Sequence, residues 1–165
     1  MKLAWYQKLN KHVWGSKALA LTVLIANEAL TWIIMICYGY GLIKLLVRKE
    51  FRHFAGLVLV PLVTFVIATW LRKEFRQKRP YMRAGIRPVV RKESDSYSFP
   101  SRHVTSAFVI GASLAGTSLA GPAVIVLFCA LLLSAARVLG GVHYIRDVAA
   151  GAVLGTLMGL LIFIF

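Results

Sequence analysis

Residues 104–136 read VTSAFVIGASLAGTSLAGPAVIVLFCALLLSAA, 33 consecutive positions without a charged side chain. A helix crosses the hydrocarbon core of a bilayer with about 20 mostly apolar residues. The run is therefore too long for one ordinary span. Gly121-Pro122 lies inside it and marks a turn, so the stretch reads as two helices, about 103–119 and 122–138. The same pattern extends outward. Residues 18–43 carry one charge, Glu28, while 54–71 and 148–165 carry none. The chain is 59% hydrophobic with a mean hydropathy of +0.72, where soluble domains sit nearer 45–50% apolar. The expectation is an all-α, polytopic membrane helix bundle forming a single domain over 1–165. It has five strong spans, with 16–47 either one tilted helix or a short helix plus a span.

The net charge is +14. Such a balance often marks a nucleic-acid binder, but here the charges lie between apolar runs, so the membrane is the expected partner and nucleic acid is not. The N-terminal stretch mixes Lys2, Lys8, Lys11 and Lys17 with Trp5, Tyr6 and Trp14. That mixture suits a helix lying in the lipid interface. It lacks the long apolar core of a cleavable signal. Cys37 and Cys129 both fall in apolar runs and read as packing residues. No cysteine or histidine spacing suggests a metal site.

With the spans numbered in order, the N-terminus, the 72–102 connection and the 137–147 stretch fall on one side. Residues 44–53, the 119–122 turn and the C-terminus fall on the other. Nearly all remaining polar chemistry thus collects at one end. Arg72–Lys92 holds nine Lys or Arg residues against one acid, Glu74. Most of these, namely Lys73, Arg76, Lys78, Arg83, Arg87, Arg91 and Lys92, read as a solvated or headgroup-facing block that also attracts anionic lipids.

Three clusters at that end carry chemistry. In Arg72-x6-Arg79-Pro80, Pro80 favours an extended Arg79, so a helix should end near there, with Arg72 two turns back on the same face. A guanidinium matches two phosphate oxygens at once. In Pro100-Ser101-Arg102-His103, Ser101 is placed to cap a helix whose free N–H groups form an anion site, with His103 in the first turn. In Arg137-x5-His143-x3-Asp147, the last two residues share a face if a helix forms. A carboxylate on one imidazole nitrogen fixes the tautomer and leaves the other as nucleophile or base. Each cluster alone has an ordinary structural explanation: arginines at a span end, an interfacial histidine, a His–Asp pair capping the last span. Together they supply complementary groups on one face, where ionisable residues are costly and usually functional.

These residues resemble the type 2 phosphatidic acid phosphatase superfamily, whose pattern is Lys-x6-Arg-Pro, then Pro-Ser-x-His, then Arg-x5-His-x3-Asp. Order and spacings match over roughly 72–147. Two positions depart: Arg72 stands where lysine is usual, with Lys73 one residue out of register, and Arg102 stands where glycine is common. The family core has six helices, so 16–47 or the N-terminal stretch would supply the sixth. The resemblance implies an integral-membrane lipid phosphate or pyrophosphate phosphatase. His143 would attack phosphorus and form a phosphohistidine, Asp147 would orient it, and His103 would protonate the leaving oxygen. Arg72, Arg79, Ser101, Arg102 and Arg137 would bind the substrate phosphate, with no metal and no other cofactor.

Within that resemblance, so short a chain looks most like the bacterial undecaprenyl-pyrophosphate or phosphatidylglycerophosphate phosphatases, and undecaprenyl pyrophosphate is the favoured expectation ahead of phosphatidylglycerophosphate or another lipid phosphate. A non-enzymatic lipid-binding membrane protein is the remote alternative, and a transporter would show repeats and interrupted helices. Relatives of this type place the site on the extracytoplasmic face of the cell membrane, whereas the Lys and Arg count at the active end pulls the other way. Oligomeric state is not legible.

Overall fold

The computed structural model describes residues 4–82, 85–90 and 97–165, and six α-helices account for most of them. They are α1 (Ala4–Gly15), α2 (Lys17–Val47), α3 (Phe51–Phe75), α4 (Arg102–Ala115), α5 (Ala120–Leu139) and α6 (Ile145–Gly159), the last running on as a 3-10 turn over Leu160–Ile164. Breaks fall where the local chemistry asks for them. Ser16 separates α1 from α2, and its hydroxyl accepts the Leu19 N–H at 3.3 Å, an N-cap. Lys49 turns the chain between α2 and α3 with a φ of 59°.

Four helical segments have the length and apolar composition to cross a membrane: Lys17–Val47, Phe51–Phe75, Ala120–Leu139 and Ile145–Ile164. Large apolar side chains such as Trp32, Ile36, Val66, Phe128 and Leu131 point outward from them. An exposed apolar belt of this extent has no place in water, and the protein is a multi-pass membrane protein.

The expected fifth span, α4, is shorter than the other four. α4 has 14 residues, about 21 Å of helix, against roughly 30 Å of hydrocarbon. The charge-free run begins apolar because α4 is wrapped by α3, α5 and α6, with Val104, Ala107, Val109, Ile110 and Leu114 all buried. Residues 116–119 are spent on the turn into α5. α1 is the sixth helix, but its 12 residues are too few to span. One face of it, Tyr6, Asn10 and Val13, is buried against the protein, while Trp5, Lys8, Lys11 and Trp14 lie on the exposed face.

α4 and α6 set the geometry of the active end. Gly151, Gly155 and Gly159 recur every fourth residue on α6, and a Cβ at any of them would strike α4. A Cβ at Gly155 would sit 2.5 Å from the Thr105 carbonyl oxygen. Small residues at such spacing let two membrane helices approach backbone to backbone. The approach brings the first residues of the two helices together, so that the Ser101 N–H donates to the Asp147 carbonyl at 3.0 Å. At the opposite end, the α2–α3 and α4–α5 turns are joined by Arg48, Glu50, His53 and Ser118, with the Arg48 guanidinium donating to Ser118 Oγ at 2.8 Å.

Gly155→Ala must therefore push the backbones of α4 and α6 apart, and backbone cannot yield as a side chain does. We expect it to cost about 1–3 kcal/mol, read as a lowered unfolding midpoint in detergent. Gly121→Ala, at a site with nothing within 4 Å of the added carbon, should leave that midpoint unchanged.

Candidate active site

The three sequence clusters converge. α3 delivers Arg72 in its last turn, where that side chain is buried and its neighbour Lys73 is exposed. The guanidinium of Arg72 donates to the Tyr97 carbonyl, tying α3 to the segment that leads into α4. The expectation that Arg72 and Arg79 share a helical face is corrected. α3 ends at Phe75, and Arg76 takes a left-handed conformation (φ 46°) as its cap. Arg79 reaches the interior from irregular backbone just before Pro80, fully buried.

His143 is also buried completely, and each of its ring nitrogens has its own environment. Nε2 faces Arg79 Nη1 at 3.4 Å and Arg137 Nη2 at 3.5 Å. Nδ1 faces Asp147 Oδ2 at 3.7 Å, across two fully buried side chains. A carboxylate draws the imidazole proton to Nδ1, and two guanidiniums, which can only donate, require a lone pair at Nε2. In that tautomer a neutral His143 would aim its basic nitrogen between two cations.

His143 and Asp147 do not share a helical face, as the spacing suggested. α6 starts only at Ile145. His143 lies two residues before it, and Asp147 sits in the first turn with Oδ2 accepting the Tyr144 N–H at 3.0 Å. The bend into His143 is made at Gly141, whose φ of 79° suits glycine.

Three residues missed in the sequence hold this arrangement. Asn27 of α2 accepts from Arg137 Nη1 at 3.2 Å. Tyr6 of α1 places its hydroxyl 2.9 Å from the Val138 carbonyl and 3.0 Å from that of His143. Burial first, then the nearby Tyr144 and Asp147, push the Tyr6 hydroxyl well above its usual pKa, so it remains a donor. Asn10 makes two hydrogen bonds with the backbone of Arg87, both 2.8 Å, closing α1 onto the 85–90 segment. The only sequence signal for Tyr6, Asn10 and Val13 was their spacing along an amphipathic helix.

Ser101 is the residue before α4 but does not cap it. Its buried hydroxyl makes no hydrogen bond to the helix or to any other group among the described residues. His103 and Arg102, both partly exposed, lie at the polar end of a groove of about 250 Å³ among α2–α5, whose walls include Ile34, Met35, Phe65 and Ile110. Lys73, Arg76, Lys78 and Arg87 are exposed, and Arg83, Arg91 and Lys92 lie outside the described residues.

The active end is rich in positive charge. Among the described residues, the buried charged side chains are Arg72, Arg79, Arg137 and Asp147. Three of these four are cationic, and buried charge is stable only when paired. No group of three His, Cys, Asp or Glu placed to hold a metal occurs among the described residues.

If Ser101 Oγ is held for a phosphate oxygen, Ser101→Ala should leave unfolding free energy within about 0.5 kcal/mol, where a lost N-cap would cost about 1 kcal/mol. Phosphate release should fall by roughly tenfold, as expected for a lost hydrogen bond that strengthens in the transition state. Equal losses in stability and rate would return Ser101 to a structural role.

No curated protein matches the chain in sequence. The crystal structure of Aquifex aeolicus LpxE superposes with a TM-score of 0.71 at 24% identity, covering 99% of this chain and 94% of that one. The crystal structure of a transmembrane PAP2 type phosphatidylglycerolphosphate phosphatase from Bacillus subtilis superposes at 0.51 and 20% identity, covering 97% and 91%. At these identities the likeness shows a shared fold. The family model for the PAP2 superfamily matches residues 51–165, which include all three clusters, and the chain belongs to that superfamily as a membrane-embedded phosphatase.

Proposed function

We propose that this protein hydrolyses a lipid diphosphate, with undecaprenyl pyrophosphate the favoured substrate, through a phosphohistidine at His143. The observation that carries the reading is the double confrontation of His143: Nε2 against Arg79 and Arg137, Nδ1 against Asp147. A phosphoryl group entering between the guanidiniums would meet the Nε2 lone pair head-on. The N–P bond forms as the bond to the leaving oxygen breaks, and His103, at the groove, gives that oxygen its proton. Asp147 stabilises the positive charge that develops on the imidazole. Water then attacks phosphorus, His103 takes the proton back, and phosphate leaves as His143 is regenerated. The cations hold the equatorial oxygens throughout, so catalysis is positioning and charge stabilisation.

A lipid substrate is supported by the groove, which runs from His103 between apolar walls. In the same reading the exposed Trp5, Lys8, Lys11 and Trp14 face of α1 lies among lipid headgroups, and the active end faces outward from the cell membrane. The second reading, phosphatidylglycerophosphate, is favoured by the similarity to the Bacillus subtilis structure, whose name carries that activity.

Purified protein should release phosphate from undecaprenyl pyrophosphate faster than from phosphatidylglycerophosphate, and excess chelator should not stop it. His143→Ala should lose roughly a thousandfold or more in kcat while keeping its unfolding midpoint. A His143→Ala protein within tenfold of wild type would refute the mechanism, and a reversed preference would select the second reading.

A further inference from the structure

α1 carries Lys8 and Lys11 and no acidic residue. With Gly85 and Arg87, these lysines line a cavity of about 540 Å³ that has Trp14 as an aromatic wall and Asn10 as a polar one. The Arg87 guanidinium lies over the Trp14 ring, 4.1 Å from its centre. Three basic side chains thus line one cavity that, among the described residues, has no Asp or Glu in its walls.

The two sides of this cavity are tied to each other and to the catalytic end. The Asn10 side chain exchanges two hydrogen bonds with the Arg87 backbone, both 2.8 Å. Gly141, where the chain bends into His143, packs directly behind them. A Cβ there would stand 3.0 Å from Asn10 Nδ2 and 3.1 Å from the Arg87 carbonyl oxygen. One turn earlier on α1, the Tyr6 hydroxyl reaches the carbonyls of Val138 and His143. α1 has only 12 residues, a length at which a helix is marginal on its own, so its place depends on what it binds.

We propose that this cavity binds the headgroup of an anionic phospholipid, and that the bound headgroup holds α1 and the 85–90 segment against the bend that carries His143. The inference rests on α1 lying among lipid headgroups, as read above. Charge complementarity selects the ligand. Phosphate oxygens take charge-assisted hydrogen bonds from Lys and Arg, and each basic residue near an anionic leaflet is worth about fivefold in affinity. A zwitterionic headgroup brings the same phosphate with no net charge. Trp14 suits the boundary between headgroups and acyl chains, which places the cavity at the level of the phosphates.

Trp14 also reports the binding. Trp5→Phe, Trp32→Phe and Trp70→Phe leave it the only tryptophan in the full-length chain. This protein is placed in phosphatidylcholine bilayers doped with lipid brominated high on its acyl chains, either phosphatidylcholine or phosphatidylmethanol. Phosphatidylmethanol is an anionic phosphodiester and neither substrate nor product of either reading. It should quench Trp14 at a mole fraction at least about tenfold lower than phosphatidylcholine does. Lys11→Gln/Arg87→Gln should bring the two lipids within about threefold of each other. Lys73→Gln/Arg76→Gln removes the same two residue types from exposed positions outside the cavity and should keep the preference. With the native tryptophans, kcat for phosphate release should rise about threefold or more when phosphatidylmethanol is added, as expected of a ligand that favours the docked helix. In Lys11→Gln/Arg87→Gln that rise should vanish, with kcat in phosphatidylcholine alone unchanged. Equal quenching by the two lipids would overturn the site. Selective quenching with a change in KM alone, or with no change in rate, would overturn the bracing of His143. No quenching of Trp14 by either lipid would overturn the headgroup placement of α1, and this inference with it.

Discussion

Burying an arginine costs several kcal/mol unless its charge and donors are met, and this bundle buries Arg72, Arg79 and Arg137 at one end. Much of the surrounding structure answers that demand. The Val142 carbonyl accepts from Arg79 at 3.2 Å, Asn27 accepts from Arg137, and Tyr97 accepts from Arg72. His143 Nε2 stands between two of the three guanidiniums. These contacts satisfy donors, and Asp147 is the one buried carboxylate among the described residues. In the proposed reading these three cations receive the substrate phosphate, and the packing of α4 against its neighbours holds them in place.

The close approach of α4 and α6 connects that packing to the chemistry. Glycines at 151, 155 and 159 let the two backbones touch, and the contact ends in the Ser101 N–H to Asp147 carbonyl bond. His103 and His143, proposed as acid and nucleophile, thus stand on either side of one helix–helix contact. α1 then closes the end of the bundle: Tyr6 holds the carbonyls on either side of the Gly140-Gly141 bend, and Asn10 holds the 85–90 segment.

Much of this was legible in the sequence. Long charge-free runs gave the membrane bundle, because lipid demands apolar side chains on every outward face. The gathering of residues 72–102 and 137–147 at one end followed from alternating spans. The same rule does not separate α4 from a lipid-facing span, since a helix buried inside a bundle is as apolar as one facing lipid. Local geometry was less accessible. Nothing in Arg72-x6-Arg79 announces a left-handed Arg76, and His143-x3-Asp147 reads as a helical pair although the helix begins between the two. Asn27 and Tyr6 were beyond reach. Their roles depend on contacts 110 and 137 residues away in sequence, which no local pattern encodes.

The central claim is that His143 forms a covalent bond to phosphorus. The direct measurement is a rapid-quench single turnover with a lipid substrate radiolabelled at its terminal phosphate, followed by mapping of the protein-bound label. A phosphorus–nitrogen bond survives alkali and is lost in mild acid, which separates it from serine, threonine and acyl phosphates. The account predicts transient, alkali-stable label on the peptide that contains His143, and none in His143→Ala. Turnover at the normal rate with no protein-bound phosphate, or label on a residue other than His143, would contradict it.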